Sequence, residues 1–473
     1  MSHRIRKVAV LGAGTMGAAI AAHCANAGLE VDLLDIAPDE DDDKNAVVEA
    51  GLERMQNARP AALMGENVAD RIRIGNFEEH FGRVGEADWI VEAIIEKLEP
   101  KRELMQRVEG TAKEDAIIST NTSGIPLHSI SEGRSEEFKR RFVGTHFFNP
   151  PRYLKLMEII PTEDTDPDIV EAVRNFGERV LGKGGVIAKD TPNFIGNRLG
   201  SFAGMQSARY AFENGYGIEE VDAITGPLIG HPKTATFRLN DQVGLDIAVG
   251  VAENLYEAVP EDESREELKP PEKLEEMKGK DLLGNKSGAG FYKRDKREGK
   301  TVFDVMDLET FEHRPAETPE IPVAKEAQEQ GDLASRLQFL MEKADEDRHA
   351  RYIRDTLLPY MAYASRRVPE ISDTLEDVDH AMEWGYGHET VCHAAGEYAR
   401  DDDGDGFCEV HVNTLEGFWS LLRSWLRPHR GISQEKLPLY LGFFEFVHNV
   451  RARGKRLLGS LIGLLLAPPR NPS

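Results

Sequence analysis

The sequence predicts an α/β protein. It reads as a Rossmann-type doubly wound parallel sheet, then an all-helical domain, a partial second helical copy and a foreign tail. Three observations carry this reading. The turn Gly12-Ala13-Gly14-Thr15-Met16-Gly17 joins an apolar run to an Ala-rich segment of helical spacing. Apolar strands alternate with helical segments up to about Asp190, after which helical periodicity dominates. Residues 219–232 (EEVDAITGPLIGHP) partly recur at 375–389 (LEDVDHAMEWGYGHE).

The first unit begins with the apolar run 8–11. Each glycine after it answers a separate demand. Gly12 permits the tight turn, Gly14 lets backbone approach a pyrophosphate, and Gly17 lets helix and strand pack closely. Thr15 and Met16 complete the turn, where phosphates sit on free N–H groups at the positive end of a helix. Gly28 stops that helix, and a second strand ends on Asp35, 23 residues past Gly12. A carboxylate there accepts hydrogen bonds from the ribose hydroxyls and repels a 2′-phosphate, which predicts NAD rather than NADP.

Residues 45–64 read as a helix, and 89–93, 116–119, 142–146 and 156–160 as strands. These close a domain at 1–190. A helical domain follows at 191–300, ending on GNKSGAGFYK. Prolines and charges mark 301–347 as a linker. A truncated second helical copy covers 348–389, and 390–473 forms the tail. The two complete domains are expected to suffice alone, so that trimming near residue 310 keeps activity.

With 473 residues, several domains are expected. The formal charge of −25 argues against nucleic acid as a partner. Three cysteines offer no disulfide framework and no metal spacing, so no metal is expected and a cytoplasmic location fits. The acidic run at 401–406 resembles the start of a calcium loop, but Val412 stands where the twelfth-position Glu is required. The late apolar run 457–467 is far shorter than the ~20 residues that span a bilayer, so no membrane partner is expected.

Three clusters carry chemistry. They are 119–123 (STNTS), 146–150 (HFFNP) with 155–158 (KLME), and 191–198 (TPNFIGNR). His146 follows an apolar strand, at the carboxyl edge where open α/β sheets bind ligands. A histidine there takes the proton from a hydroxyl while hydride leaves for a nicotinamide. Glu158, twelve residues on, is placed to fold back against the imidazole.

GAGTMG, VEAIIEKLEPK, STNTS, HFFNP with KLMEII, and TPNFIGNR together resemble the NAD-dependent 3-hydroxyacyl-CoA dehydrogenases of fatty-acid β-oxidation, over roughly residues 5–389. The similarity is to the long form that carries an enoyl-CoA hydratase domain after the dehydrogenase. It implies oxidation of (3S)-3-hydroxyacyl-CoA, with His146 as general base and Glu158 orienting it. It implies Ser123 and Asn197 as donors around the substrate's 3-oxygen. It further implies Glu96 and Lys101 near the nicotinamide ribose, Asn149 beside the nicotinamide, Ser123 in the cofactor set, and Lys286 as a late cofactor contact. Arg54 and Arg59 are candidates for the CoA phosphates. Helical domains of the family pair, so a homodimer is a candidate assembly.

Nothing after Glu389 offers the hydratase's oxyanion-hole glycines or paired glutamates. Instead, 411–419 and 437–451 resemble the C-terminal end of an insertion-sequence transposase, without the preceding aspartate strands of a two-metal site. This predicts a dehydrogenase gene interrupted near codon 390. Two other readings stay open: another NAD-dependent hydroxy-acid dehydrogenase, and an inactive fusion.

Overall fold

A computed structural model describes residues 4–38, 43–297 and 300–387. The tail 390–473, with its transposase-like segments, lies outside them, as does Glu389.

The first strand, β1 (Lys7–Leu11), leads through the glycine turn into α1 (Thr15–Asn26) and then β2 (Glu30–Asp35). Next comes α2 (Ala46–Gln56), shorter than the helix expected over 45–64. Pro60 disfavours helical backbone at Arg59 and helps explain the early stop. Then come β3 (Ile72–Asn76), β4 (Trp89–Glu92), α3 (Leu98–Thr111) and β5 (Ile117–Thr120). Two short helices, α4 (Leu127–Ile130) and α5 (Glu136–Arg140), precede β6 (Phe142–Phe147) and β7 (Leu156–Pro161). Asp166 caps α6 (Pro167–Arg179), accepting the Asp168 N–H with Pro167 in the first turn, and β8 (Gly184–Ile187) closes the sheet.

The eight strands run in the order β3-β2-β1-β4-β5-β6-β7-β8. All neighbours from β3 to β6 are parallel, whereas β7 is antiparallel to β6. Interior strands such as β4 and β5 are fully buried, as parallel strands covered on both faces must be.

The helical region opens with α7 (Gly196–Glu213), α8 (Ile218–Thr225), α9 (Phe237–Val243) and α10 (Leu245–Ala258). It continues with α11 (Arg265–Leu268) and α12 (Glu272–Gly279).

The stretch 301–347 departs from the linker expectation. Strands β9 (Tyr292–Arg297), β10 (Lys300–Met306) and β11 (His313–Pro315) form a second, antiparallel sheet, followed by α13 (Pro322–Gln328) and α14 (Leu333–Lys343). Val305, Met306, Ile321, Leu333 and Leu340 are buried in the main core. The prolines that suggested a linker sit where regular structure admits them: Pro315 on an edge strand, Pro322 in the first turn of a helix.

The second helical copy consists of α15 (Arg348–Ile371) and α16 (Leu375–Tyr386). Asp347 caps α15 by accepting the His349 and Ala350 N–H groups, and Thr374 caps α16. This copy has a helix to pack on. Tyr363 stacks on Phe202 of α7 with ring centroids 4.1 Å apart, and the Tyr352 and Ser207 hydroxyls are 2.7 Å apart. Arg198, buried in α7, donates to the Tyr363 hydroxyl at 2.6 Å and to Asp262 at 2.7 Å. α15 and α16 thus cover α7, and trimming near residue 310 would remove that cover, which bears directly on the expectation that the first two domains suffice alone.

Candidate active site at the carboxyl edge of the sheet

Four adjacent parallel strands, β1, β4, β5 and β6, end on one edge, and their ends are stitched together. The Gly12 N–H donates to Leu34, Ala93 N–H to Leu11 and Asn121 N–H to Glu92. The Asn121 side chain then accepts the Phe147 N–H at 2.9 Å. Residues distant in sequence are thereby brought to one rim: the 12–17 turn, 93–96, 121–123 and 146–149.

Gly12 has φ +110°, and a Cβ there would stand 2.5 Å from the Ala93 carbonyl oxygen. A Cβ on Gly17 would stand 1.9 Å from the Gly12 carbonyl oxygen. Gly14 is different, with nothing within 4 Å of the added atom. An open cradle therefore faces the start of α1, whose first N–H groups have no partner within the helix. This is the room and polarity that a pyrophosphate needs. Asp35, at the end of β2, accepts the Ala13 N–H at 2.6 Å and the Ile36 N–H at 2.7 Å. Each carboxylate oxygen keeps further lone-pair capacity for ribose hydroxyls.

Glu96 gathers the β5 loop. Its Oε1 accepts from the Thr122 hydroxyl at 2.5 Å, the Ser123 N–H at 2.8 Å and the Gly124 N–H at 3.2 Å. Burial opposes its ionisation, but the Lys101 ammonium and these hydrogen bonds outweigh it and hold the carboxyl below the usual range. Lys101 is itself only 1% exposed, held 2.7 Å from Glu92 and 3.2 Å from Glu96. Of the expected ribose pair, Glu96 is the half-exposed member, and Lys101 is committed to two carboxylates.

His146 and Glu158 are direct partners in the antiparallel register of β6 and β7. Nδ1 of His146 lies 2.6 Å from Oε2 of Glu158, and both residues are buried. The other oxygen, Oε1, accepts the Ile195 N–H at 3.0 Å and the Gly196 N–H at 2.8 Å. Those donors are aimed by two consecutive left-handed residues, Asn193 (φ 62°) and Phe194 (φ 50°). Such backbone costs of order 1–3 kcal/mol per residue and persists where the surroundings impose it. The imidazole is flanked by the Phe148 and Phe194 rings, at 4.7 and 5.6 Å.

The other expected residues take these places. Asn197 is half-buried in the first turn of α7, next to Gly196. Asn149 is exposed, three residues beyond His146. Lys286 is exposed and ion-paired with Asp246 at the start of α10, so its contact here is within the helical region. Arg54 reaches the Ala13 carbonyl at 3.4 Å, and Arg59 the neighbouring Ala58 carbonyl. Among the described residues, no group of three or more His, Cys, Asp or Glu side chains is arranged to hold a metal ion.

Sequence reasoning did not single out Glu92, Phe148 and Phe194. Glu92 is fully buried and accepts from Lys101, the Thr120 hydroxyl and the Ile94 N–H. Its signal was available, since an acid ending an otherwise apolar strand calls for a buried cation. The two phenylalanines gave no such signal.

Two family descriptions match the chain: "3-hydroxyacyl-CoA dehydrogenase, NAD binding domain" over residues 7–191, and "3-hydroxyacyl-CoA dehydrogenase, C-terminal domain" over 194–294. A probable 3-hydroxyacyl-CoA dehydrogenase of Bacillus subtilis is 41% identical over 405 residues, covering 82% of this chain and 50% of the relative. The chain thus spans half the length of that protein. A probable 3-hydroxyacyl-CoA dehydrogenase of Deinococcus radiodurans is 48% identical, covering 62% of this chain and 84% of its own. The crystal structure of 3-hydroxybutyryl-CoA dehydrogenase from Escherichia coli shares the fold, with a TM-score of 0.61, 21% identity, and coverage of 81% of this chain and 89% of that one.

Proposed function

The chain belongs to the 3-hydroxyacyl-CoA dehydrogenase family, and on that premise we propose that it oxidises (3S)-3-hydroxyacyl-CoA to 3-ketoacyl-CoA with NAD, in fatty-acid β-oxidation. The observation that carries the reading is the buried His146–Glu158 pair on the rim shared with the dinucleotide turn.

NAD, when bound, supplies the acceptor for the hydride from C3 of the substrate. The chain's own part is the proton. With Nδ1–H donated to Glu158, Nε2 of His146 carries the free lone pair and takes the proton from the 3-hydroxyl. The imidazolium that forms is stabilised by a carboxylate already held by two backbone N–H groups. Ser123 and Asn197 orient the 3-oxygen, Asn149 borders the nicotinamide, and Glu96 contacts its ribose. Lys101 supports Glu96 from the buried side.

A cytoplasmic location fits the cysteine usage, and among the described residues no helix is long and apolar enough to cross a membrane. A second copy of the chain is a candidate partner, and nucleic acid is not. The tail 390–473 is proposed as transposase-derived on the residues quoted for it.

The deciding assay gives purified full-length protein NAD and either 3-hydroxybutyryl-CoA or free 3-hydroxybutyrate. NADH should appear with the thioester alone. Comparable rates with the free acid would favour another hydroxy-acid dehydrogenase. No NADH from thioesters of any chain length would leave the inactive-fusion reading standing.

A further inference from the structure

The wall of the dyad does not come only from the sheet domain. The Phe148 ring that packs on His146 is also met by Tyr386, edge to face, with ring centroids 6.1 Å apart. Tyr386 is the last residue of α16, in the second helical copy.

Its position is defined by missing side chains on α7. A Cβ on Gly200 would stand 2.2 Å from the Tyr386 hydroxyl oxygen and 2.4 Å from its Cζ. A Cβ on Gly196 would stand 2.7 Å from Phe148 Cζ and 3.5 Å from Tyr386 Cε2. Positions four apart share a helix face, so these glycines form one notch that holds both rings. Two further close approaches seat the rest of α16. A Cβ on Gly184 of β8 would stand 2.0 Å from the Trp384 ring. A Cβ on Gly385 would stand 2.6 Å from Leu156 of β7. The Lys155 ammonium lies 4.2 Å from the Trp384 ring centre.

The elements that α16 grips are those that hold Glu158. Strand β7 carries it, and the start of α7 donates its two backbone hydrogen bonds. The Tyr386 phenol is pushed well above its ordinary range, by burial first and then by the charge of Glu158.

We propose that Tyr386 is a positioning residue for the His146–Glu158 dyad, acting through Phe148 and the α7 notch, so that the second helical copy is a working part of the active site. The inference rests on the dehydrogenase reading. Removing the ring leaves space behind Phe148, lets the imidazole tilt, and loosens the start of α7 against Glu158. Displacements of about 1 Å at a reacting pair cost up to ~100-fold in rate.

The test uses the full chain. Tyr386→Ala should lower kcat by roughly 10- to 100-fold and shift the pH profile of kcat, with NADH binding unchanged by fluorescence titration. Tyr386→Phe should recover most of the rate, because it keeps the ring that meets Phe148 and loses only the hydroxyl at Gly200. Gly200→Ala provides a second route to the same dyad. In an ordinary helix that change is stabilising, but here it should displace Tyr386 and lower kcat. The double variant Gly200→Ala/Tyr386→Ala should be no worse than Tyr386→Ala alone. Unchanged kcat in Tyr386→Ala overturns the proposal. So does a loss that follows only the fraction of folded protein, with the pH profile intact. NMR titration of the His146 imidazole separates the two readings. A wild type inactive on every thioester, combined with a His146 titration that moves in Tyr386→Ala, removes the function and keeps the positioning role. A titration that does not move removes the positioning role whatever the activity.

Discussion

Glu158 stands directly opposite His146 across an antiparallel strand pair, with Oε2 2.6 Å from Nδ1. Both partners are thus placed by main-chain register rather than by flexible loops. The carboxylate has a second task, receiving two backbone N–H groups from the start of α7. Orientation of the imidazole and attachment of the helical domain share one side chain.

Glu158→Gln separates those tasks. The amide oxygen still receives the Ile195 and Gly196 N–H groups, so the fold should survive. The charge that stabilises the imidazolium is gone. We expect kcat to fall by about 10²–10³-fold, within the range of positioned acid–base catalysis, with NADH affinity changed less than about threefold. Steady-state kinetics beside an NADH fluorescence titration would show it, and wild-type turnover would remove Glu158 from the mechanism.

Gly14→Ala and Gly17→Ala should fail in different ways. The added carbon at position 17 meets backbone at 1.9 Å, so the turn must shift. Overpacking of this kind costs about 1–3 kcal/mol or more, and the melting temperature should drop. At position 14 the carbon meets nothing within 4 Å. Gly14→Ala should melt like the parent yet need a higher NAD concentration, because the methyl occupies the phosphate cradle. Equal KM for NAD in parent and Gly14→Ala would show that no phosphate approaches there.

A chain ended at residue 310 should not behave as a self-sufficient enzyme. It lacks Tyr352, Tyr363 and Tyr386, which pack on α7, and each large side chain contributes on the order of 1.5–3 kcal/mol when buried. Differential scanning calorimetry should show a transition at least ~10 °C lower than that of the full chain, or none. Full NADH production at the parental melting temperature would mean the second copy is dispensable.

His23 makes stability depend on pH. It is buried in α1 with Nε2 2.9 Å from the Leu181 carbonyl oxygen. Burial, and next the charge of Lys183, lower its pKa from 6.5 to about 4. Above the ordinary value the ring is neutral in both folded and unfolded chains. As pH falls below it, the unfolded chain takes up a proton that the fold refuses. Stability should therefore decline by up to about 1.4 kcal/mol per pH unit until the folded value is reached. Comparing urea midpoints of parent and His23→Gln at pH 7 and pH 5 isolates this residue from others that titrate nearby. The variant should lose less between the two pH values. Equal losses would place the acid sensitivity elsewhere.

Much of the site was legible along the chain because its demands are local. A turn with φ +110° at Gly12 and a close contact at Gly17 admits few side chains, and the strand before it and helix after it announce themselves by period. Asp35, at the end of the next strand, follows from the same unit. His146 and Glu158 were readable as a pair because they lie on consecutive strands joined by a short connection.

The remainder belongs to long-range packing. Lys101 is a buried partner of Glu92 and Glu96 only once β4 and α3 are folded together. Residues 301–347 look like a linker by composition, yet bury Val305 and Leu333 in the main core. Phe148 and Tyr386 are more than two hundred residues apart in the chain and meet over Gly196 and Gly200. The sequence by itself determined the glycine turn, most strands of the first domain and the pairing of His146 with Glu158, because backbone geometry and burial period are written within a few residues. Only the tertiary structure decided which surfaces close the site, because a glycine that makes room for a distant ring reads, within its own helix, like any other glycine.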